Sequence, residues 1–552
     1  MLRRVTFVLL LGSLLLGFAQ VAQLPPWEGF DEPGHYSYIQ QIAETGTWPR
    51  FGDPMSAEVD EYLAVAPTTA SFMPTRWSYK DFAGASPEEI EAGRRAMHSA
   101  RDPARPWRTG RIGNWEAQQP PLYYLAMAPA YLLSKGWSLS AQLMLLRGVS
   151  YLLAWIGLCV AALSMRKDAS PMASALVLAP ALWPALFPMW FPEMARVGND
   201  SLVVLVAACA WLSLVRLVQA DGGGRHHLAL GAALGIGFLT KAIFLPFAAA
   251  VFIVLSYRVW QARADAAAAR VRARGLVICL GAVIVIAGWW YLLKLFETGS
   301  VIGSNDAIHL RQAGGLIEGL RQNASIRGIA RLPWHFELSF LWSGTWSFVR
   351  PPFASFIPLV LMPPLLALGY ILTVKARPLA SVLDWVPLLT VTLFLAALGY
   401  HSLILIGLGM ASAPAWYLHA FVAVLAPLLG RGLAGTFAAR PLRPLVSVLM
   451  VYPMLFLLLA FVVQGLFFAG CGGTKGPDSS FYDLASGSAC ATHVATIYER
   501  LAAISFPRVA TAAFVGGWVL MIIGIGAALR CLRADAGVSV QAPSSLKRHG
   551  QP

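Results

Sequence analysis

The chain opens Met1-Leu2-Arg3-Arg4, runs apolar from Val5 to Ala19, and then reads Gly29-Phe30-Asp31-Glu32-Pro33-Gly34-His35-Tyr36. Two arginines before an uncharged run mark a membrane helix that leaves the cytoplasm, so the second motif holds two carboxylates and an imidazole against the far bilayer surface. A carboxylate there is ionised at neutral pH and can act as a base. His35 lies one helical turn from Asp31, close enough to share a proton, a substrate or a metal ion with it. The same residues also suit a structural role, with Asp31 as N-cap of a helix from Glu32 to Glu44, Pro33 in its first turn and Gly46 beyond its end. Capping and catalysis are compatible, and the sequence leaves both open. The first run also resembles a signal peptide, with Gly17-Phe18-Ala19 as a cleavage-like site, but is read here as a retained anchor.

Composition sets the class. Of 552 residues, 57% are hydrophobic and only 13% charged, which no soluble domain matches. The expected fold is an all-α polytopic membrane protein. The net charge of +14 sits in short Lys and Arg clusters between apolar runs, which the positive-inside rule explains, and no basic face interleaved with aromatics suggests nucleic acid. Cys159, Cys209 and Cys279 fall within apolar runs and Cys531 just after the last, without metal-ligand spacing. Cys471 and Cys490 bracket a Gly, Ser and Asp-rich loop, a pattern that suits a disulfide in an oxidising compartment.

Runs long enough to span, oriented by basic loops, give about twelve helices with both termini cytoplasmic. They cover residues 5–22, 147–165 (returning to Arg166 and Lys167), 171–190, 199–218, two half-length helices within 228–257 meeting near Lys241, 275–296, 353–374, 384–404, 414–430, 444–469 and 508–529. Residues 1–470 are then expected to form one transmembrane region with an outer loop 23–146, and 471–507 a second outer loop. Residues 508–533 are the last helix and 534–552 a disordered cytoplasmic tail. Gln119-Pro120-Pro121-Leu122-Tyr123-Tyr124 opens an apolar stretch too short to span, read as juxtamembrane. Trp183, Trp190, Trp289, Trp290, Trp334, Trp342 and Trp346 fall at outer helix ends, as an interfacial belt would. No fixed-period repeat is present.

The order of short motifs resembles the GT-C superfamily of integral-membrane glycosyltransferases, including protein O-mannosyltransferases, lipid A aminoarabinose transferases and RgtA/B/C/D-like bacterial enzymes. The matching stretches are Asp31-Glu32-Pro33 with His35, Glu116 with Gln119-Pro120-Pro121-Leu122-Tyr123-Tyr124, Gly198-Asn199-Asp200, Gly237-Phe238-Leu239-Thr240-Lys241 and Gly288-Trp289-Trp290. The resemblance implies transfer, with inversion, of a sugar from a polyprenyl-phosphate carrier to a glycan, lipid or protein acceptor. It also implies a site on the outer face of a bacterial plasma (inner) membrane. Asp31 takes the role of base, with Glu32 and His35 beside it. Lys241 would face the leaving phosphate, because an ammonium inside an apolar run is functional by default, although snorkelling to the interface would also place it. Glu116, Gln119, Asp200 and Arg350 become contacts for donor or acceptor, with helix-terminal charge as the bland alternative for Glu116 and Asp200. Two departures stand out: relatives carry Arg-Tyr where this chain has Pro414-Ala415-Trp416-Tyr417, and the Asp-x-Asp metal motif of oligosaccharyltransferases is missing from the first loop. The sequence makes no cofactor certain; a divalent ion on Asp31, Glu32 and His35 stays open. A transporter or flippase of lipid-linked saccharide, or an inactive scaffold of the same fold, are the competing readings.

Overall fold

A computed structural model gives the fold and describes residues 1–68, 75–165, 173–219, 223–472 and 481–541. Among these residues ten helices are long and apolar enough to cross a membrane, against one two-stranded antiparallel sheet, Pro54–Ser56 with Thr109–Gly113. The protein is an all-α, multi-pass membrane protein. The remaining two expected spans are shorter helices: Ala173–Leu186 has 14 residues and two internal prolines, and Gly224–Thr240 has 17. Arg166, Lys167 and tail residues 542–552 lie outside the described residues.

Several boundaries moved for identifiable reasons. The second span runs Leu139–Ser164, starting before residue 147, because Ser138 caps it by accepting the Ala141 N–H and because two polar side chains in its first turns find partners. Gln142 accepts from the Tyr36 hydroxyl at 2.7 Å, and Arg147 pairs with Glu32. Ala266–Thr298 begins earlier than residue 275, since Asp265 accepts the N–H groups of Ala267 and Ala268 and the helix continues past the basic cluster. Leu122–Leu133 has 12 residues, too few to span.

The helix Leu2–Gln23 packs on the last helix, Pro507–Gln541, through small residues: a Cβ on Gly517 would lie 2.9 Å from the Gly12 carbonyl oxygen, and one on Gly524 2.6 Å from Leu9. The Tyr151 hydroxyl donates to the Ser13 carbonyl at 2.6 Å and closes this helix against Leu139–Ser164.

The aromatic belt is corrected. Trp183, Trp190, Trp290, Trp342 and Trp346 are buried in protein, and only Trp289 and Trp334 of the seven are exposed. Their ring area fills the end of the bundle under the outer segment. Trp190 donates towards the Tyr151 hydroxyl, Trp346 meets Trp115 edge to face at 5.7 Å, and Trp342 does the same with Phe456. Beyond this end, Cys471 and Cys490 are joined by a disulfide, their Cα atoms 5.5 Å apart.

Candidate active site

Asp31 stands at the N-cap position of the helix Glu32–Thr45 without capping it. Its backbone is left-handed, φ 58° and ψ 9°, a region uncommon for non-glycine residues that aspartate enters more readily than most. The capping reading is therefore corrected, because no side-chain cap bond forms. Instead Oδ1 accepts the indole N–H of Trp115 at 3.0 Å, and the half-buried carboxylate is left to other partners.

The surroundings are specific. Arg196, fully buried, donates Nη1 to the Phe30 carbonyl at 2.6 Å, gripping the peptide just before Asp31. Its Nη2 donates to Glu193 Oε1 at 2.7 Å and Asp200 Oδ2 at 2.8 Å. Asp200 also accepts two bonds from the Lys241 ammonium, at 2.9 and 2.7 Å. Lys241 occupies the extended break between Gly224–Thr240 and the turn that starts Ala242–Gln261, and its Nζ lies 4.6 Å from the centre of the Tyr417 ring. Trp416, the neighbour of Tyr417, stacks on Phe30 at 4.2 Å. Pro414-Ala415-Trp416-Tyr417 thus touches both the residue before Asp31 and the buried lysine.

Two further carboxylates take different environments. Glu116 is buried beside Gly34, where a Cβ would lie 2.9 Å from Glu116 Cγ, so only glycine lets the motif approach the Glu116 loop. Burial, with the charge of Asp31 added, pushes the Glu116 carboxyl up to about 8, so it holds its proton at neutral pH. Burial also raises Asp31 above the usual aspartate range, while the charges of Arg196 and Lys241 and the Trp115 hydrogen bond pull it back. His35 is held well below the usual imidazole range by burial and by the same two cations, so it is neutral. Its Nδ1 lies 2.9 Å from the Tyr124 hydroxyl and 3.7 Å from Glu116.

Asp31, His35, Glu116, Gln119, Asp200 and Lys241 come together at one end of the bundle; Gln119 Oε1 accepts from Asn199, next to Asp200, at 3.1 Å. Glu32 and Arg350 are placed differently. Glu32 is wholly buried in a forked pair with Arg147, at 2.7 and 2.6 Å, and accepts the Val197 N–H. Arg147 also donates to the carbonyls of Leu24 and Pro25, so this pair fixes the chain leaving the first helix. Arg350 packs over the Phe481 ring, and its carbonyl accepts from Tyr482 at 2.7 Å, a setting next to the disulfide loop. With Glu32 committed to Arg147, Asp31, Glu32 and His35 are not brought together as one ligand set. Among the described residues no group of three His, Cys, Asp or Glu is arranged to hold a metal ion.

Sequence reading missed Glu193, Arg196, Trp115 and Trp416. Glu193, Arg196 and Asp200 are spaced three and four apart, but residues 195–199 are not helical, and the bridges form because the turn between Trp190–Met194 and Asp200–Gln219 brings both acids to the arginine.

No family model matches the chain, and no curated protein matches it. Among solved structures, ArnT from Cupriavidus metallidurans bound to undecaprenyl phosphate is similar at 15% identity over 90% of this chain and 75% of that one, with TM-score 0.35. The oligosaccharyltransferase of Archaeoglobus fulgidus in complex with Zn and sulfate is similar at 13% identity over 83% of this chain and 53% of that one, with TM-score 0.39. AglB from the same organism, with an inhibitory peptide and a dolichol-phosphate, is similar at 10% identity over 83% and 55%, with TM-score 0.38.

Proposed function

We propose that the chain moves a sugar from a polyprenyl-phosphate carrier to an acceptor hydroxyl of a glycan, lipid or protein, on the outer face of a bacterial plasma membrane. The single observation that carries this reading is Asp31 itself: a carboxylate in a left-handed conformation that gives up capping its own helix and stands beside a buried cation pair at one end of the bundle. Asp31 takes the proton of the acceptor hydroxyl as its oxygen attacks the anomeric carbon from the face opposite the phosphate. The bond from that carbon to the phosphate oxygen breaks, the configuration inverts, and polyprenyl phosphate leaves as an anion. Of the three donors on the Lys241 ammonium, two are spent on Asp200, so one serves the leaving phosphate.

A discontinuous helix with a buried charge at its break also suits a transporter of lipid-linked saccharide. Asp31→Asn separates the two readings. Asparagine tolerates the left-handed region and still accepts from Trp115, so the variant folds. Transfer from a polyprenyl-phosphate sugar to acceptor, followed with the purified protein, should fall on the order of a hundredfold or more, while donor binding persists. Full activity in the folded variant would exclude Asp31 as base; movement of the donor across vesicles with no cleavage by the wild type would establish the transporter.

A further inference from the structure

Three arginines, Arg321, Arg327 and Arg331, stand exposed in the segment after Ala266–Thr298, interleaved with isoleucines that protein does not cover. Ile317 is 86% and Ile326 90% exposed, and Ile329 is exposed as well. Side chains so bare are not core, and three of them between residues 317 and 329 leave apolar surface that water disfavours. The patch has a fixed height. The helix Leu316–Asn323 lies against the end of the spanning helix Val382–Gly407: a Cβ on Gly319 would meet the Gly407 carbonyl oxygen at 2.7 Å, and Asn323 donates to that same oxygen at 3.0 Å. At the other side of the segment, Trp334 contacts Phe353, the half-exposed first residue of the span Phe353–Ala376, with ring centres 6.2 Å apart. The segment thus meets the end of one spanning helix and the start of another, the height at which a spanning helix leaves the acyl chains. Between residues 316 and 335 the sequence carries these three arginines and one carboxylate, Glu318, which accepts from Gln322 at 2.6 Å.

We propose that residues 316–335 form a collar seated in the bilayer leaflet on the site's side, with the isoleucines in the acyl boundary and Arg321, Arg327 and Arg331 on anionic phospholipid headgroups. Apolar wedges with arginines alongside match both layers of that interface. The inference holds for either orientation of the chain and independently of the proposed transfer reaction.

The test uses full-length protein in nanodiscs, with Cys159, Cys209, Cys279 and Cys531 replaced, Ile326→Cys carrying an environment-sensitive fluorophore, and its thermal transition matched to wild type as the folding control. Two quenchers are compared: a phospholipid with a nitroxide near its headgroup, and aqueous iodide. Discs are made of phosphatidylcholine alone or mixed with phosphatidylglycerol. The lipid nitroxide should quench several-fold more than iodide, more so with phosphatidylglycerol, and Arg321→Gln/Arg327→Gln/Arg331→Gln should abolish the phosphatidylglycerol increment. Quenching by iodide without quenching by the nitroxide would overturn the collar and leave the face to a soluble partner. Equal quenching in both lipid mixtures would overturn the recognition of anionic headgroups.

Discussion

Arg196 is the residue on which the geometry of Asp31 depends, and its guanidinium does three things that no other side chain does together. It bonds the Phe30 carbonyl, it pairs with Glu193 and Asp200, and it lowers the proton affinity of Asp31. Arg196→Gln would leave two buried carboxylates short of a partner, a loss of about 3–5 kcal/mol, so Arg196→Lys is the informative change. Lysine keeps the charge but cannot fork between a carbonyl and two acids. Stability should fall by about 1.5–3 kcal/mol, the worth of a hydrogen bond to a charged group. Transfer should fall roughly tenfold to a hundredfold, because freeing the Phe30 peptide lets Asp31 drift from its attack position. The pH profile gives a separate readout. Asp31 must be ionised to act, so activity rises with pH through its pKa; moving the cation away raises that pKa further, and the acid limb of kcat/KM should shift upward. A variant with reduced rate and an unmoved acid limb would make Arg196 a packing residue only. Asp31 and its glycines were legible in the sequence because acids, a proline and glycines beside a membrane helix are unusual. Arg196 was not, because a lone arginine near an apolar run reads as an interfacial charge until its partners are placed in space.

The break at Lys241 shows what is readable at the scale of an element. An apolar run from 228 to 257 is too long for one span, and a lysine in its middle marks where it divides; the structure ends one helix at Thr240 and starts the next turn at Ala242. A Cβ on Gly237 would lie 2.3 Å from the Phe244 ring, so the glycine allows the chain to fold back on itself there. The pairing of Lys241 with Asp200, forty-one positions away, could not be read, since it depends on how two helix ends meet. Nor could the burial of five tryptophans, because an aromatic at a helix end looks the same in sequence whether lipid or protein covers it. If Lys241 and Asp200 hold the break together, their energies are not additive. Lys241→Met should destabilise by about 3–5 kcal/mol, leaving Asp200 with Arg196 alone. Adding Asp200→Asn should cost much less than its single effect, with a coupling free energy of about 1–3 kcal/mol in a double-mutant cycle read by unfolding in detergent. Additive effects would mean that the break is set by the backbone and the Gly237 contact.

At the scale of the whole molecule, the two ends of the bundle differ in charge, and the orientation we propose for the site rests on this difference. At the end away from Asp31, arginines satisfy one another's helices: Arg272 donates to the Arg258 carbonyl, Arg443 to Ala536, Arg533 to Ser447, and Arg431 pairs with Asp384. The buried acids Glu28, Glu32, Glu116, Glu193 and Asp200 belong to the other end, where the outer segment closes over them. The positive-inside rule keeps basic clusters of short loops in the cytoplasm, so the orientation we propose has the site facing outward, where a lipid-linked donor and not a nucleotide sugar would be the activated sugar. The disulfide loop at Cys471 and Cys490 sits next to Arg350, on the same side as the site, consistent with an oxidising compartment. Two single cysteines test the orientation in a background without the four free cysteines. Glu88→Cys lies on the exposed face of the outer segment, and Ala264→Cys lies in the exposed turn before Ala266–Thr298. Neither position holds a partner that folding needs, so both proteins should insert normally. In intact cells an impermeant thiol reagent should label Glu88→Cys, and Ala264→Cys only after permeabilisation. The reverse pattern would put Asp31 in the cytoplasm, beside nucleotide-activated sugars, and would remove the reason for a lipid-linked donor even if Asp31 proved to be the base.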